Sequence, residues 1–149
     1  MSNEILRKEL LQKAIYDLFG LNGQKGFLEL ENKNFEIRKE QQSAVKEVVD
    51  AFISDPKHIL MEAPTGTGKT FIYSYIALMD LGIATALKLE PKNIVIVTNN
   101  KSLQKQLTKD LKENIAPNVI KYLTTSSIIK NTLENVDMSR LKHQLESSL

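Results

Sequence analysis

The short segment Ala63–Thr70 carries the residues of this sequence that are best suited to chemistry. Its letters, APTGTGKT, match the phosphate-binding pattern G-x-x-x-x-G-K-[ST], except that alanine replaces the first glycine. Gly66 and Gly68 allow backbone N–H groups to turn toward a phosphate, because side chains at these positions would block it. A helix that begins near Lys69 would add its N-terminal amides and partial positive charge. The spacing therefore predicts a phosphate cradle.

The residues of this cradle have separate expected roles. Lys69 would reach the β- and γ-phosphates, which makes it the candidate catalytic residue, and the Thr70 hydroxyl would ligate Mg²⁺. The residues predicted to hold the nucleotide in this segment are Pro64, Thr65, Gly66, Thr67, Gly68, Lys69 and Thr70. The alternative is a glycine turn that binds nothing, but such a turn does not explain Gly-Lys-Thr at the start of a helix.

The motif alone does not distinguish a kinase, a GTPase, a transporter ATPase and a helicase. A small-molecule kinase is disfavoured because such enzymes need a lid with arginines, and Arg140 is the only arginine after the loop.

Alternating strand and helix patterns surround the cradle. Short apolar runs at residues 58–63, 93–100 and 118–125 predict buried strands, with helices between and after them. This order predicts an α/β fold in which a parallel sheet is flanked by helices, and together with the cradle it predicts a P-loop fold. Ahead of it, residues 3–19 predict an amphipathic helix, and FLELE with the following FEI predicts a short β-hairpin.

Three sequence blocks resemble superfamily 2 helicases, and most closely their XPD/DinG-like branch. EAPTGTGKT is similar to the Walker A motif of that branch. FEIRKEQQSAVKEVVDAF resembles the segment ahead of it, in which R-x-x-Q starts a helix, here with Arg38 and Gln41. NIVIVTNNKSLQKQL resembles motif Ia, a strand ending in threonine and then a helix with L-x-x-Q-L. The matching positions are Thr98, Leu103, Gln106 and Leu107.

This resemblance implies ATP and Mg²⁺ as cofactors. Gln41 would contact the adenine edge, since a side-chain amide can donate and accept at once. Gln42 is adjacent, so the sequence does not decide which of the two glutamines has this role. The alternative is that Gln41 is a solvated residue on an amphipathic helix. Arg38 would be either a helper near the nucleotide or a surface charge.

The resemblance also implies contacts with the backbone of single-stranded DNA just past the motif Ia strand. Thr98, Lys101 and Gln106 are the candidate nucleic-acid-binding residues, with Lys105 as a further possibility. The alternative is a strand-end turn followed by an N-cap for the next helix.

ATP hydrolysis in such enzymes needs an Asp-Glu pair, whose aspartate holds Mg²⁺ and whose glutamate polarises water. No aspartate of this sequence is followed by glutamate. We therefore expect the ATP-binding portion of a DinG/XPD-like ATP-dependent DNA helicase, unable to hydrolyse ATP or unwind DNA alone.

Two explanations of that expectation stay open. The chain is either a truncated product lacking its C-terminal half or a stand-alone nucleotide- or nucleic-acid-binding module, a decoy or partner of a full-length helicase. The polar last 25 or so residues favour truncation slightly. The expected domains are an N-terminal helix and hairpin at 1–34, a partial RecA-like ATP-binding domain at 35–125 and a helical tail at 126–149.

Composition adds exclusions. The chain has no cysteine, which excludes disulfides, thiolate zinc sites and an iron–sulfur cluster within these residues. The stretch IKYLTT lies where many members of the branch open an iron–sulfur domain, but threonine follows Tyr122-Leu123 here, and these two residues are otherwise core candidates. The net charge of +2 says little about partners. No apolar stretch has secretory or membrane-spanning character, so we expect a cytoplasmic protein.

Overall fold

The computed structural model describes residues 3–32, 36–54, 69–89, 101–132 and 138–147 of the chain. Every regular element in these ranges is helical. The elements are α1 (Asn3–Phe19), α2 (Phe27–Glu31), α3 (Lys39–Ile53), α4 (Lys69–Ala86), α5 (Lys101–Asp110), a π-helical segment (Leu111–Ile115), α6 (Ala116–Thr125), α7 (Ser127–Thr132) and α8 (Met138–Ser147). None of the helices in these ranges is long and apolar enough to cross a membrane.

The predicted α/β fold with a parallel sheet is wrong, because the described ranges contain helices and no strand. Two of the predicted strands, at residues 58–63 and 93–100, lie outside the described residues. The third predicted strand and the first strand of the N-terminal hairpin fall on residues that are helical, and each has a local physical reason.

The segment FLELE is helix α2 and not a strand. In a strand, Leu28 and Leu30 would share one face because side chains alternate. Instead Leu28 is 0% exposed and Leu30 is 69% exposed. Gly26 provides an extended N-cap, and the side-chain amide of Asn32 donates to the Leu28 carbonyl at 2.9 Å. Only one of the two leucines is buried, so the alternating pattern that predicted a strand does not describe a buried face.

Residues 118–125, predicted as a strand, lie in helix α6. The intervals between its buried residues place them on one side of a helix, whereas a strand would send Val119 and Tyr122 to opposite faces. Thr125 also donates through its hydroxyl to the Lys121 carbonyl at 2.6 Å, a bond to the fourth preceding residue that requires helical geometry. The buried residues of α6 are Ala116, Val119, Tyr122 and Leu123.

Helix α4 continues to Ala86, past Gly82, where the sequence predicts its end. A glycine inside a helix costs roughly 1 kcal/mol relative to alanine. Residues beyond it, such as Ala84 at 0% exposure, are buried, and this burial offsets the cost. The chain leaves the helix where Lys88 adopts a left-handed φ of 59° and the Leu89 N–H donates to the Ala84 carbonyl at 2.8 Å.

The chain divides into two compact units, Met1–Ile76 and Ala77–Leu149. In the first unit, α1 packs against α2 and α3. Its buried apolar residues are Leu10, Leu11, Ala14, Ile15, Leu18, Phe19, Leu28, Val45, Val48, Val49, Ile72, Tyr75 and Ile76. In the second unit, α6 packs against α7 and α8. The domain boundaries expected from the sequence stay predictions.

In the second unit, α5, the π-helical segment and α6 form one uninterrupted helix from Lys101 to Thr125. The Ala116 N–H donates to the Leu111 carbonyl, five residues earlier, as a π turn requires. Pro117 follows at once, and a proline in a helix removes a donor and crowds the carbonyl four residues before it. The wider π turn rotates every later residue about the helix axis relative to a regular α-helix.

Candidate nucleotide-binding and nucleic-acid-binding sites

Helix α4 begins at Lys69, with Thr70 as its second residue. Lys69 and Thr70 are thus the first residues of a helix, where N–H groups and the helix dipole favour an anion. The predicted nucleotide-holding residues that precede it, Pro64, Thr65, Gly66, Thr67 and Gly68, lie outside the described residues. The phosphate-binding role of these residues stays a prediction.

The first turns of α4 are packed into the core of the N-terminal unit. Ile72, Tyr75 and Ile76 are buried. The ring of Tyr75 meets the ring of Phe19 edge to face, with centroids 5.5 Å apart and planes at 87°. Phe19 is the last residue of α1, so this N-terminal helix supports the helix that would hold the phosphates.

Tyr73 is a residue of this region that the sequence did not single out. It follows Thr70 by three residues, so the two positions lie on one side of α4. Its hydroxyl oxygen is buried and has no hydrogen-bond partner among the residues that the structure describes. Burial raises the pKa of Tyr73 above its ordinary value. A buried hydroxyl without a partner is a destabilising feature of the helix start.

Gln41 is held in place at the start of α3. The backbone N–H of the N-cap residue, Arg38, donates to Oε1 of Gln41 at 2.9 Å. This is the reciprocal half of a capping box, and it orients the half-buried amide group. The Arg38 side chain is exposed.

Gln42, the next residue, has a structural role that the sequence did not distinguish from that of Gln41. It is 8% exposed. Its Nε2 donates to the carbonyls of Phe19 and Gln24 at 3.3 and 3.1 Å, and its Oε1 accepts from the Gly23 N–H at 3.0 Å. One side chain therefore satisfies three backbone groups of the turn between α1 and α2.

The two candidate nucleic-acid contacts that the structure describes, Lys101 and Gln106, do not form one cluster. Lys101 and Gln106 are both exposed on α5. Five residues separate them, which places them about 140° apart around a helix. Thr98 lies outside the described residues. Lys101 and Gln106 therefore belong to different faces.

Sequence reasoning named Lys101 and Lys105 as candidates but missed that Lys109 and Lys112 continue the same row along this helix. Lys101, Lys105, Lys109 and Lys112 are exposed and recur at intervals of four, four and three residues. Such spacing keeps all four within roughly 80° around the axis, one lysine per helical turn. This periodicity is readable from the sequence alone, because intervals of three and four residues match the helical repeat. We call these four residues the lysine track.

The track continues into an open groove of about 600 Å³ between α6 and α8. Lys112 and Lys121 line it from the long helix, and Lys142 and Glu146 line it from α8. The remaining lining residues are Ala116, Pro117, Ile120 and Thr124. We call this feature the α6–α8 groove.

Comparison with known proteins places the chain. Residues 34–146 match the family described as type III restriction enzyme, res subunit. The chain belongs to this family. The match starts just ahead of α3 and ends within α8, so the res-subunit span includes Gln41, the start of α4 and the lysine track, while α1 and α2 precede it.

Curated relatives of this res-subunit family member are proteins named UvrABC system protein B. The one from Staphylococcus aureus strain Mu50 is 28% identical over 133 residues, covering 79% of this chain and 19% of the relative. The one from Thermodesulfovibrio yellowstonii is 27% identical over 131 residues, covering 78% of this chain and 18% of the relative. The chain thus spans less than a fifth of the length of these relatives. No solved structure matches it significantly.

The family and these relatives support a superfamily 2 helicase domain of the ATP-binding type. ATP, Mg²⁺ and nucleic acid are the general ligands of such a domain. These matches do not test the narrower assignment to the XPD/DinG-like branch that the sequence predicts.

Proposed function

We propose that this chain is the MgATP-binding part of a helicase-type motor that acts on nucleic acid. The observation that carries the proposal is the start of α4 at Lys69, which sets Gly-Lys-Thr at a helix N-terminus in a chain of the res-subunit family. Helix N-termini preceded by glycines are favourable sites for phosphate groups.

In this proposal Lys69 pairs with the β- and γ-phosphates and Thr70 gives its hydroxyl to Mg²⁺. The bound metal ion would neutralise phosphate charge. The buried packing of Ile72 and Tyr75 fixes the helix behind these two residues, so their backbone amides need not reorganise when a nucleotide arrives.

Adenine recognition falls to Gln41 rather than Gln42. Gln42 uses both hydrogens of its amide group and its oxygen on backbone groups of the α1–α2 turn. Gln41 is oriented by a single bond to its oxygen, which keeps a second lone pair. An amide held this way suits the donor and acceptor edge of adenine. Arg38 would assist as an exposed charge near the nucleotide.

The proposal also includes the narrower assignment to the XPD/DinG-like branch. In that assignment the nucleic acid is single-stranded DNA, and its contacts are Thr98, Lys101 and Gln106. Its support is the R-x-x-Q start of α3 and the motif Ia-like block of the sequence. A protein of that branch would move along DNA only together with a second motor domain, so a partner segment or chain is part of this reading.

The first test is calorimetric titration of the whole chain with MgATP, with Lys69→Ala and the control Lys46→Ala. Lys46 is exposed on α3, and its replacement by alanine removes one positive charge, as Lys69→Ala does. We expect saturable binding in the wild type and control and its loss in Lys69→Ala. Equal binding by all three would refute the phosphate-cradle role, and absence of binding by a folded wild type would refute nucleotide binding by this chain.

Turnover distinguishes a helicase portion from a complete motor. Because the sequence lacks an Asp-Glu pair, we expect phosphate release by this chain to equal that of Lys69→Ala, with or without oligonucleotide. A DNA-stimulated rate that Lys69→Ala abolishes would contradict this expectation.

A further inference from the structure

We propose that the lysine track and the α6–α8 groove form one continuous surface for the sugar-phosphate backbone of a nucleic acid. This inference deepens the proposed function, since it rests on nucleic acid being a ligand of the chain. It extends that contact from Lys101 and Lys105 to residues outside the motif-based candidates, namely Lys109, Lys112, Lys121 and Lys142.

The first argument is the geometry of the track. Four exposed lysines occur on one face of a helix at a rise of about 6 Å each, and they span about 16 Å from Lys101 to Lys112. A row of point charges at this spacing can neutralise successive phosphates without reading bases.

The second argument is the effect of the π-helical segment. Lys112 and Lys121 are nine residues apart, which would put them on roughly opposite sides of a regular α-helix. Both nevertheless line the α6–α8 groove. The π turns between them, at Leu111–Ile115, change the angular register of α6, and so join the track to the groove.

The third argument is what α8 adds. Lys142 lines the groove from the other helix, so lysines stand on both of its walls. The fields of these three lysines add inside the groove and attract a polyanion, against the single opposing carboxylate of Glu146 on α8. Two exposed carboxylates border the surface: Glu113 follows Lys109 by one turn, and Glu146 follows Lys142 by one turn.

The lining chemistry favours a phosphate backbone over other anions. The lining residues of the groove are three lysines, one glutamate and small or aliphatic residues, with no arginine or aromatic side chain among them. Base stacking and bidentate carboxylate pairing are therefore not provided, whereas sequence-independent phosphate contact is. Binding should depend on charge and salt rather than on the bases.

The test is fluorescence anisotropy of labelled oligo-dT, oligo-U and an abasic oligonucleotide of equal length, between 50 and 200 mM salt. The test variant carries Lys112→Gln, Lys121→Gln and Lys142→Gln in the whole chain. The control carries Lys13→Gln, Lys46→Gln and Lys130→Gln, which removes three exposed lysines outside the surface. A third variant, Glu146→Gln, removes the opposing carboxylate.

We expect the test variant to lose affinity by about tenfold or more, and its slope of log affinity against log salt to fall by about 2 units. The control should keep most of the affinity, the abasic oligonucleotide should bind as oligo-dT does, and Glu146→Gln should bind more tightly. Preference for oligo-dT or oligo-U would identify DNA or RNA as the source of the backbone.

Equal losses in the test and control variants would overturn the proposal, because they would mean that the affinity depends only on the net charge of the chain. Displacement of the oligonucleotide by poly-glutamate at an equal concentration of negative charges would also overturn it, because that result would indicate an acidic protein partner. MgATP titration of the same variants separates the two hypotheses. Normal MgATP binding without oligonucleotide binding by the wild type would refute this surface and leave the nucleotide site standing.

Discussion

The hydroxyl of Tyr16 on α1 donates a 3.0 Å hydrogen bond to Oδ1 of Asp50 on α3. The side-chain amide of Gln12 donates to the same oxygen at 3.2 Å. Helix α1 precedes the span matched by the family, and α3 carries Gln41. This polar contact, together with the Phe19–Tyr75 ring pair, makes α1 part of the unit that would hold the nucleotide.

Removing either partner of the Tyr16–Asp50 bond should lower the free energy of unfolding. We expect about 1 kcal/mol for Tyr16→Phe and for Asp50→Asn, because both groups are half-buried and a hydrogen bond to a charged acceptor is lost. Urea unfolding measures each variant and the double variant. The double variant should lose less than the two single losses added together, and Glu47→Gln, an exposed change on α3, should have little effect. Strictly additive losses would contradict a direct contact.

Stability should fall at alkaline pH because of the same hydroxyl. Burial, the hydrogen bond to Asp50 and the charge of Asp50 raise the pKa of Tyr16 above its usual 10.0. A raised pKa in the folded state gives stability that is complete below pH 10.0 and is lost as the pH rises through the folded value. Urea unfolding between pH 8 and 11 should show a smaller loss for Tyr16→Phe than for the wild type. An identical pH dependence in both would refute this assignment.

Tyr73→Phe should stabilise the chain, in contrast to Tyr16→Phe. The Tyr73 hydroxyl is buried without a hydrogen-bond partner, and deleting it removes a desolvation cost of about 1 kcal/mol. Thermal or urea unfolding of the two tyrosine variants side by side makes the comparison, since each loses one oxygen atom. A destabilised Tyr73→Phe would show that the hydroxyl has a favourable contact in solution.

The adjacent glutamines should separate stability from nucleotide binding. Gln42→Ala leaves three backbone groups of the α1–α2 turn without their partner, and we expect a loss of about 2–3 kcal/mol. Gln41→Ala removes one cap bond, and we expect about 1 kcal/mol, but also weaker MgATP binding. Unfolding and calorimetric titration of both variants test this. If Gln42→Ala weakened MgATP binding and Gln41→Ala left it unchanged, the adenine assignment would be wrong.

Local patterns of the sequence predicted the helices that carry the candidate sites. The apolar spacing of α1 and α3 and the Gly-Lys-Thr of α4 determine these elements within a few residues, because period and glycine chemistry act between near neighbours. The alternation in FLELE and the apolar run in NVIKYLTT gave the wrong element. A short apolar run fits a strand or a helix, and contacts with distant residues select one of them.

The sequence by itself determined the phosphate-binding pattern, the absence of cysteine chemistry and the membership of a helicase-type family. Only the tertiary structure decided that Leu28 is buried and Leu30 is not, and that Gln42 braces a turn while Gln41 caps a helix. It also placed Lys121 beside Lys112 in one groove. Each of these depends on which surface another segment covers or on how a π turn rotates the residues after it, and neither quantity is encoded in the spacing of neighbouring residues.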